Sequence, residues 1–298
     1  MKSIILVGLL LIVTGAVITG FTLRSNLTKQ NARFNVRDLA GHGLSIIGSS
    51  EPTYMELVSN LLQGKSDPIV ETLAPFSIFI KNTTKHTVVA CVLKWEMITP
   101  KGKTLTFRRE YTNLLGLMDR DISEVKEGLL IKPSGTWFFT PSYLPVYQGG
   151  ETGSETAKDQ PEVIAELNRL LSELSQSTSI TVSLDGAFFD DGTFVGPDNT
   201  DFFAKVEAMR NGRRDAFLTI VNDRKQGKTD KEIFNHVEEL ATAKVDFGRA
   251  PTPTDYYSRF KKETAAELLR IKVLEGENRT VLRAQAKMQK PWPQLRKL

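Results

Sequence analysis

The spacing of apolar residues changes at Gly196–Pro197, and this change limits the fold more than any other feature of the chain. Before it, most apolar positions alternate with polar ones, which is typical of half-buried β-strands. After it, apolar residues recur every three or four positions, as they do along one face of a helix. The sequence therefore predicts an α+β fold in which the strands come first and a helical region follows.

The predicted strands lie between residues 72 and 197. The clearest is HTVVACVLKWEMIT (86–99), where Lys94 and Glu96 alternate with apolar neighbours. Short strands separated by close turns are typical of antiparallel sandwiches and barrels. We predict a β-sandwich-like domain over 72–197, compatible with an immunoglobulin-like arrangement but without the cysteine pair of antibody domains. Further strand patterns occur at 75–82, 104–114, 128–140 and 179–196. The candidate core residues of this domain are Trp95, Phe107, Phe138 and Phe188.

Helical spacing appears inside this domain and after it. QPEVIAELNRLLSELS (160–175) predicts one inserted amphipathic helix. The C-terminal region, 198–298, predicts helices near 199–225, 230–243 and 254–289, the last interrupted by Gly276. Thr229 and Glu232 have the spacing of a capping box. Upstream, residues 24–71 predict a linker followed by a short helix at 51–63.

The first 23 residues predict a signal peptide or a signal anchor. One lysine is followed by an uncharged run from Ser3 to Leu23, long enough for either. Arg24, Lys29 and Arg33 follow the run and lean against an outside location under the positive-inside rule. The charge difference from Met1 and Lys2 is small. We therefore expect export to the cell envelope, with membrane contact through residues 4–23. Whether the segment is cleaved or retained stays open.

Side chains that commonly do chemistry are scarce. Cys91 lies in the apolar run VVACVL, where burial would keep the thiol inert. His42, His86 and His236 are scattered and match no metal motif. The sequence therefore predicts no catalytic, cofactor-binding or metal-binding residues, no cofactor and no enzymatic activity.

The segment DDGTFVGPDNTDFF (190–203) is the one stretch that looks like a site. Asp-Gly favours a hairpin turn, and Asp198, Asn199 or Thr200 can cap the helix that follows, so a structural role is favoured. A calcium loop is the rival, but the alternate positions after Asp190 are Gly192 and Phe194, which offer no carboxylate. A nonstandard metal site stays open for these acids: Asp185, Asp190, Asp191 and Asp198.

The stretch VSLDGAFFDDGTFVGPD, followed by a charged helix, resembles a segment of uncharacterised exported bacterial proteins, among them acidobacterial ones. The resemblance covers about residues 75–225. It implies export but no function and no catalytic role. The positions that support it are Asp191, Gly192, Gly196, Pro197 and Asp198.

These features predict a non-enzymatic binding or scaffold module of the bacterial cell envelope, whose C-terminal helices contact an envelope protein or a second copy. An exported hydrolase with an unrecognised carboxylate site is the first alternative. Nucleic-acid binding is the second, because residues 201–298 contain 21 Lys and Arg against 14 Asp and Glu. We expect nucleic-acid binding least, since clusters of charge on helices are usually solvated faces. Export would also separate the protein from nucleic acid. The basic residues in question are Arg210, Arg213, Arg214, Arg224, Lys225 and Lys228.

Overall fold

A computed structural model of the chain describes residues 33–63, 67–113, 117, 130–142, 161–245, 248, 251–292 and 294–298. Over these residues the fold is α+β with a helical C-terminal region, as predicted. The predicted signal peptide or anchor (1–23) and its membrane contact (4–23) lie outside the described residues.

No helix in the described ranges combines the length and the apolar character needed to cross a bilayer.

The strands follow the predicted alternation closely in the middle of the chain. For example, the strand predicted at 86–99 is observed at Val88–Ile98, and the pattern at 179–196 forms two strands joined by a turn. The described strands are β1 (Arg33–Arg37), β2 (Leu44–Gly48), β3 (Ile78–Asn82), β4 (Val88–Ile98), β5 (Thr104–Thr112), β6 (Thr136–Phe139), β7 (Ser179–Phe189), β8 (Thr193–Val195) and β9 (Arg296–Lys297).

The smaller of two sheets has the order β2-β3-β6 and is antiparallel. Ile80 in its central strand pairs with Ile46 on one side and with Trp137 on the other. Ile46 and Ile80 are buried. Burial alternates along β2, whereas four of the five residues of the central strand β3 are buried.

The larger sheet is mixed, which differs from the antiparallel prediction. Its order is β5-β4-β7-β8-β9, with β1 also paired to β7. β7 and β8 are antiparallel, but β1 runs parallel to β7, and β9 runs parallel to β8. β1 and β2 also place strands in the predicted linker, 24–71. Such additions to a sheet depend on backbone hydrogen bonds with distant segments, which local side-chain patterns do not specify.

Most helices agree with the predicted positions, but the helix at Pro68–Leu73 lies in the predicted linker and was not expected. The inserted helix is confirmed, the Thr229–Glu232 capping box is present, and Gly276 (φ +88°) divides the last predicted helix. A second capping box, Thr252 with Asp255, was not predicted. The described helices are α1 (Tyr54–Leu62), α2 (Pro68–Leu73), α3 (Pro161–Ser175), α4 (Phe202–Lys225), α5 (Asp230–Thr242), α6 (Pro253–Glu275) and α7 (Glu277–Gln289).

The chain divides into two compact units, and their limits differ from the predicted ones at 72–197 and 198–298. The first unit is Met1–Lys85, Leu93–Arg109 and Ile131–Leu184, and the second is His86–Val92, Glu110–Leu130 and Asp185–Leu298. The second unit thus contains strand segments as well as the C-terminal helices. The reason is packing: Phe188 and Phe194 of the strands share a buried cluster with Phe202 and Val206 of α4.

Each unit has its own core. In the first, Trp95 is buried and its Nε1 donates to the Phe76 carbonyl at 3.1 Å, and Phe138 joins a separate cluster with Phe79. In the second, Phe188 is buried. Three of the four predicted core aromatics are therefore buried, although not in one core. The fourth, Phe107, is half-buried.

Candidate functional site at the acidic turn

The acidic segment begins with a tight turn, as the sequence predicted. Asp190, Asp191 and Gly192 connect β7 to β8 and are called the acidic turn below. The amide of Gly192 donates to the Phe189 carbonyl at 2.9 Å, and Gly192 has a φ of +85°. Because side chains strain the backbone at positive φ, glycine suits this position. The hairpin prediction is confirmed.

His86 lies against the acidic turn, from the segment just before β4. Its Nδ1 lies 3.3 Å from Oδ1 of Asp190, and its Nε2 lies 3.9 Å from Oδ2 of Asp191. The Asp190 amide donates to the Thr87 carbonyl at 2.9 Å, which fixes the turn beside this segment. One ligand atom from each of the three side chains lies within 4.8 Å of the others. We call His86, Asp190 and Asp191 the His–Asp–Asp cluster.

Asp191 is also held by neighbours on its other side. Its Oδ1 accepts the Thr193 amide, and its Oδ2 accepts both the Thr193 hydroxyl and the Arg296 guanidinium, each at 2.9 Å. Partial burial by itself would raise the pKa of the Asp191 carboxyl. The hydrogen bonds from Thr193 and the charges of His86 and Arg296 outweigh burial and hold this pKa below its ordinary value. Asp191 is therefore ionised at neutral pH.

Arg296 reaches the acidic turn because the end of the chain forms β9. The Arg296 amide donates to the Gly192 carbonyl at 3.1 Å, and the Leu298 amide donates to the Phe194 carbonyl at 3.0 Å. The sequence did not predict this strand. Two residues are too few for a periodic pattern.

Asp198 has a structural role, as the sequence proposed. It has a φ of +58°, a conformation that Asp tolerates better than most residues. Its Oδ1 accepts the Phe203 amide at 3.1 Å in the first turn of α4. The N-cap position itself is Asp201, which was not among the predicted capping residues and whose side chain makes no capping bond. Oδ2 of Asp198 accepts Lys297 Nζ at 2.8 Å.

Asp185 is buried next to the same loop. Its Oδ1 accepts the Asn199 amide at 3.1 Å and the Asn199 side-chain amide at 2.7 Å. Its Oδ2 is buried and has no hydrogen-bond partner in the described parts of the chain. Of the four acids considered for a nonstandard metal site, the structure joins Asp190 and Asp191. It places the other two, Asp185 and Asp198, with separate partners.

Aromatic residues support the hairpin that positions these groups. The ring centroids of Phe188 and Phe194 lie 4.8 Å apart, and Phe203 stacks on Phe188 at 5.5 Å. A β-carbon on Gly186 would overlap the Phe194 ring. Because these rings are packed into the core, they position the acidic turn and do not offer free faces to a ligand.

Two other groups that could take part in chemistry are held in structural roles. Cys91 is fully buried, and the loss of solvation raises the pKa of its thiol, which keeps it protonated. His236 Nδ1 lies 2.8 Å from Oδ2 of Asp223, whose Oδ1 accepts Lys228 Nζ at 2.7 Å. Neither arrangement is that of a nucleophile with a base.

The basic residues considered for nucleic-acid binding are largely engaged within the chain. Arg213 forms two hydrogen bonds with Glu267, and Arg224 pairs with Asp230. The Arg210 guanidinium lies over the Trp292 ring, 5.4 Å from its centroid. These contacts leave fewer charges for phosphates than the sequence suggests.

No known protein family, curated protein or solved structure matches this chain. The function therefore has to be inferred from the chain's own residues. Sequence reasoning found the acidic turn but missed His86 and Arg296, which lie 104 and 105 positions from their aspartate partners. No local pattern connects residues so far apart.

Proposed function

We propose that this chain is an exported or membrane-tethered protein of the bacterial cell envelope, and that it acts as a non-enzymatic binding or scaffold module. The uncharged run from Ser3 to Leu23 supports export or tethering. The resemblance of the DGTFVGPD segment to exported bacterial proteins agrees with it. An immunoglobulin-like packing of the sheets belongs to this proposal, since such sandwiches commonly bind partners through loops.

The engagement of the acids favours a binding module over an exported hydrolase. Asp191 and Asp198 accept hydrogen bonds from Arg296 and Lys297, respectively. A catalytic carboxylate pair must exchange protons with the substrate and flank a cleft. Carboxylates held by cations and backbone amides are poorly suited to that task.

Exposed apolar side chains at the junction of α6 and α7 are the observation on which the proposal mainly rests. Val273 and Leu274 are each 83% exposed, and Leu282 is 55% exposed. Between residues 270 and 283, called the helix corner below, the chain also has four basic and two acidic side chains. Exposed apolar groups beside basic groups are typical of an interaction surface.

The partner that best fits the helix corner is an anionic membrane surface. A stable protein partner would need about 800 Å² of contact on each side, far more than three side chains provide. A lipid interface needs only a few apolar side chains, and each nearby Lys or Arg adds about 1 kcal/mol at an anionic surface. Arg270 and Arg279 are exposed at the corner.

A fluorescent label at the helix corner tests this contact. Asn278 is exposed there, and the native Cys91 is buried, so a cysteine placed by Asn278→Cys can be labelled selectively. The full chain would be labelled with an environment-sensitive dye and reconstituted with phosphatidylcholine alone or with added phosphatidylglycerol. We expect a blue shift of the emission only with the anionic lipid, because the dye then enters the lipid interface.

The double variant Val273→Ser/Leu274→Ser should abolish the shift. The matched control is the label at Asn60→Cys, an exposed position on α1, which should not respond to lipid. An equal shift at both labels, or a shift that survives the double variant, would exclude the helix corner as the membrane contact. A label response that depends on protein concentration and not on lipid would indicate self-association instead.

The compartment needs a separate measurement. Mass spectrometry of the native protein from fractionated cells gives its first residue and its location. A mature chain beginning near Ala16–Arg24 in an exported fraction, or an intact Met1 in the membrane fraction with an outside body, supports the proposal. A protease-protected body on the cytosolic side contradicts export and returns the basic helices to consideration as a nucleic-acid surface.

A further inference from the structure

We propose that the His–Asp–Asp cluster binds a divalent first-row transition ion, with Zn²⁺ as the representative. The proposal does not depend on the membrane function above. It rests on three side chains from two distant segments, each with one ligand atom within 4.8 Å of the others. The turn that carries the two aspartates is fixed by the Gly192 amide and by pairing beside Thr87, so the ligands sit on a defined backbone.

The spacing of the first two ligands matches that of a bound ion. Ligands held at about 2.0–2.1 Å with tetrahedral angles lie about 3.3–3.4 Å from each other. The His86 Nδ1 to Asp190 Oδ1 distance is 3.3 Å. Asp191 is the third ligand of the set, although the nitrogen nearest to it is the other one of the ring: its Oδ2 lies 3.9 Å from His86 Nε2. Since one imidazole gives a single ion only one of its nitrogens, binding requires the side chains to turn and close the distances of up to 4.8 Å that separate the three ligand atoms.

The ligand types select the class of ion. One imidazole nitrogen and two carboxylate oxygens suit Zn²⁺ and its first-row neighbours. Ca²⁺ and Mg²⁺ prefer sets made of oxygen alone, and Cu(I) prefers sulfur. Three protein ligands leave one tetrahedral position for water or for a donor atom from a partner.

Arg296 offers a second test of the proposal, because its guanidinium hydrogen-bonds the Asp191 oxygen that the ion would need. It lies 2.9 Å from Oδ2 of Asp191, and its side chain is 62% exposed, so it can move away into solvent. The backbone bonds of β9 to Gly192 and Phe194 do not involve that side chain. Arg296 and the ion therefore compete for Asp191, while β9 itself can remain paired.

Isothermal titration of the full, tag-free chain with ZnCl₂ tests the site. We expect one saturable site in the native protein. Asp190→Asn removes a ligand without disturbing the Thr193 contacts of Asp191, and it should weaken binding by about tenfold or more. Arg296→Gln removes the competitor, and it should tighten binding by about two- to fivefold, the scale of a surface ion pair.

Asp190→Asn and Arg296→Gln should change the affinity for Zn²⁺ in opposite directions. Misfolding of the Arg296→Gln variant could not produce an increase in affinity. Lys297→Gln is the matched control, because Lys297 is next to Arg296 but pairs with Asp198. His42→Gln controls for binding at another histidine. Both controls should bind like the native chain. A native chain without saturable binding, or an Asp190→Asn variant that binds unchanged, would refute the site.

Discussion

Lys297 Nζ lies 2.8 Å from Oδ2 of Asp198, so β9 provides the counter-ion of a carboxylate that accepts a first-turn amide of α4. The Asp198 side chain is 6% exposed, whereas that of Lys297 is 46% exposed. Lys297→Ala would leave the buried Asp198 carboxylate, among the described residues, with its hydrogen bond from the Phe203 amide alone. We expect the free energy of unfolding to fall by about 1 kcal/mol, at the upper end for pairs that reach the surface. Urea denaturation measures it.

The control for Lys297→Ala is Lys290→Ala, which removes a charge from another exposed position near the same end of the chain. It should change stability by less than about 0.5 kcal/mol. Equal losses in the two variants would mean that the overall charge matters and that the contact with Asp198 does not.

Gly212 lies where α4 approaches the backbone of α6 closely. A β-carbon there would overlap the carbonyl oxygen of Tyr257. In an open helix, replacing glycine by alanine adds about 0.5–1 kcal/mol of stability. Here we expect Gly212→Ala to lose about 1–3 kcal/mol by overpacking. Thermal and urea unfolding would show whether Gly212→Ala lowers or raises the free energy of unfolding. The control is Arg214→Ala, at an exposed position of the same helix, which should change stability very little.

The two capping boxes should stabilise α5 and α6 by similar amounts. Thr229 Oγ1 accepts the Glu232 amide at 3.4 Å, and Thr252 Oγ1 accepts the Asp255 amide at 3.3 Å. Thr229→Ala and Thr252→Ala should each lower the free energy of unfolding by about 1 kcal/mol. Serine at either position keeps the hydroxyl and should restore most of it. If the serine variant were as unstable as the alanine variant, the loss of stability would come from the missing threonine methyl group and not from the hydroxyl.

The Asp223 carboxylate makes the free energy of unfolding depend on pH in the acidic range. Burial alone would raise its carboxyl pKa, but hydrogen bonds from Lys228 and His236, with their charges, lower it below the ordinary value. Since the folded pKa lies below the unfolded one, this stabilisation is complete above the unfolded pKa, about 3.9, and disappears as pH falls through the folded pKa. We expect Asp223→Asn to be less stable than the native chain near neutral pH.

The difference between Asp223→Asn and the native chain should narrow as the pH falls below about 4. Denaturant unfolding at a series of acidic pH values measures it. Glu56→Gln, at an exposed position of α1, serves as the control and should show a small difference across the series. If the difference in stability between Asp223→Asn and the native chain were the same at every pH, the ionisation of Asp223 would not be linked to folding.

Local periodicity explains which parts of the fold could be predicted. The strand at Val88–Ile98 and the helix at Phe202–Lys225 lie within a few residues of their predicted limits. The turn at Gly192 and the break at Gly276 were also predictable, because glycine at positive φ has a local sequence signature. Such features depend on neighbours in sequence.

Long-range pairing explains what could not be predicted. Phe34 pairs with Ile180 in the parallel β1–β7 pair, and Lys297 pairs with Phe194 in β9–β8. His86 joins the acidic turn in the same way, from 104 positions away. A single sequence shows which residues are apolar or charged, but it does not show which distant segments the topology brings together.

The interleaved units limit how this protein can have been assembled from smaller parts. β4 passes from one unit to the other between Val92 and Leu93, and β7 does so between Leu184 and Asp185. A gene fragment that encodes only 198–298 would produce helices without the strand residues of their shared buried cluster. Recombination could therefore transfer the helical region to another protein only together with the strand segments that complete its core.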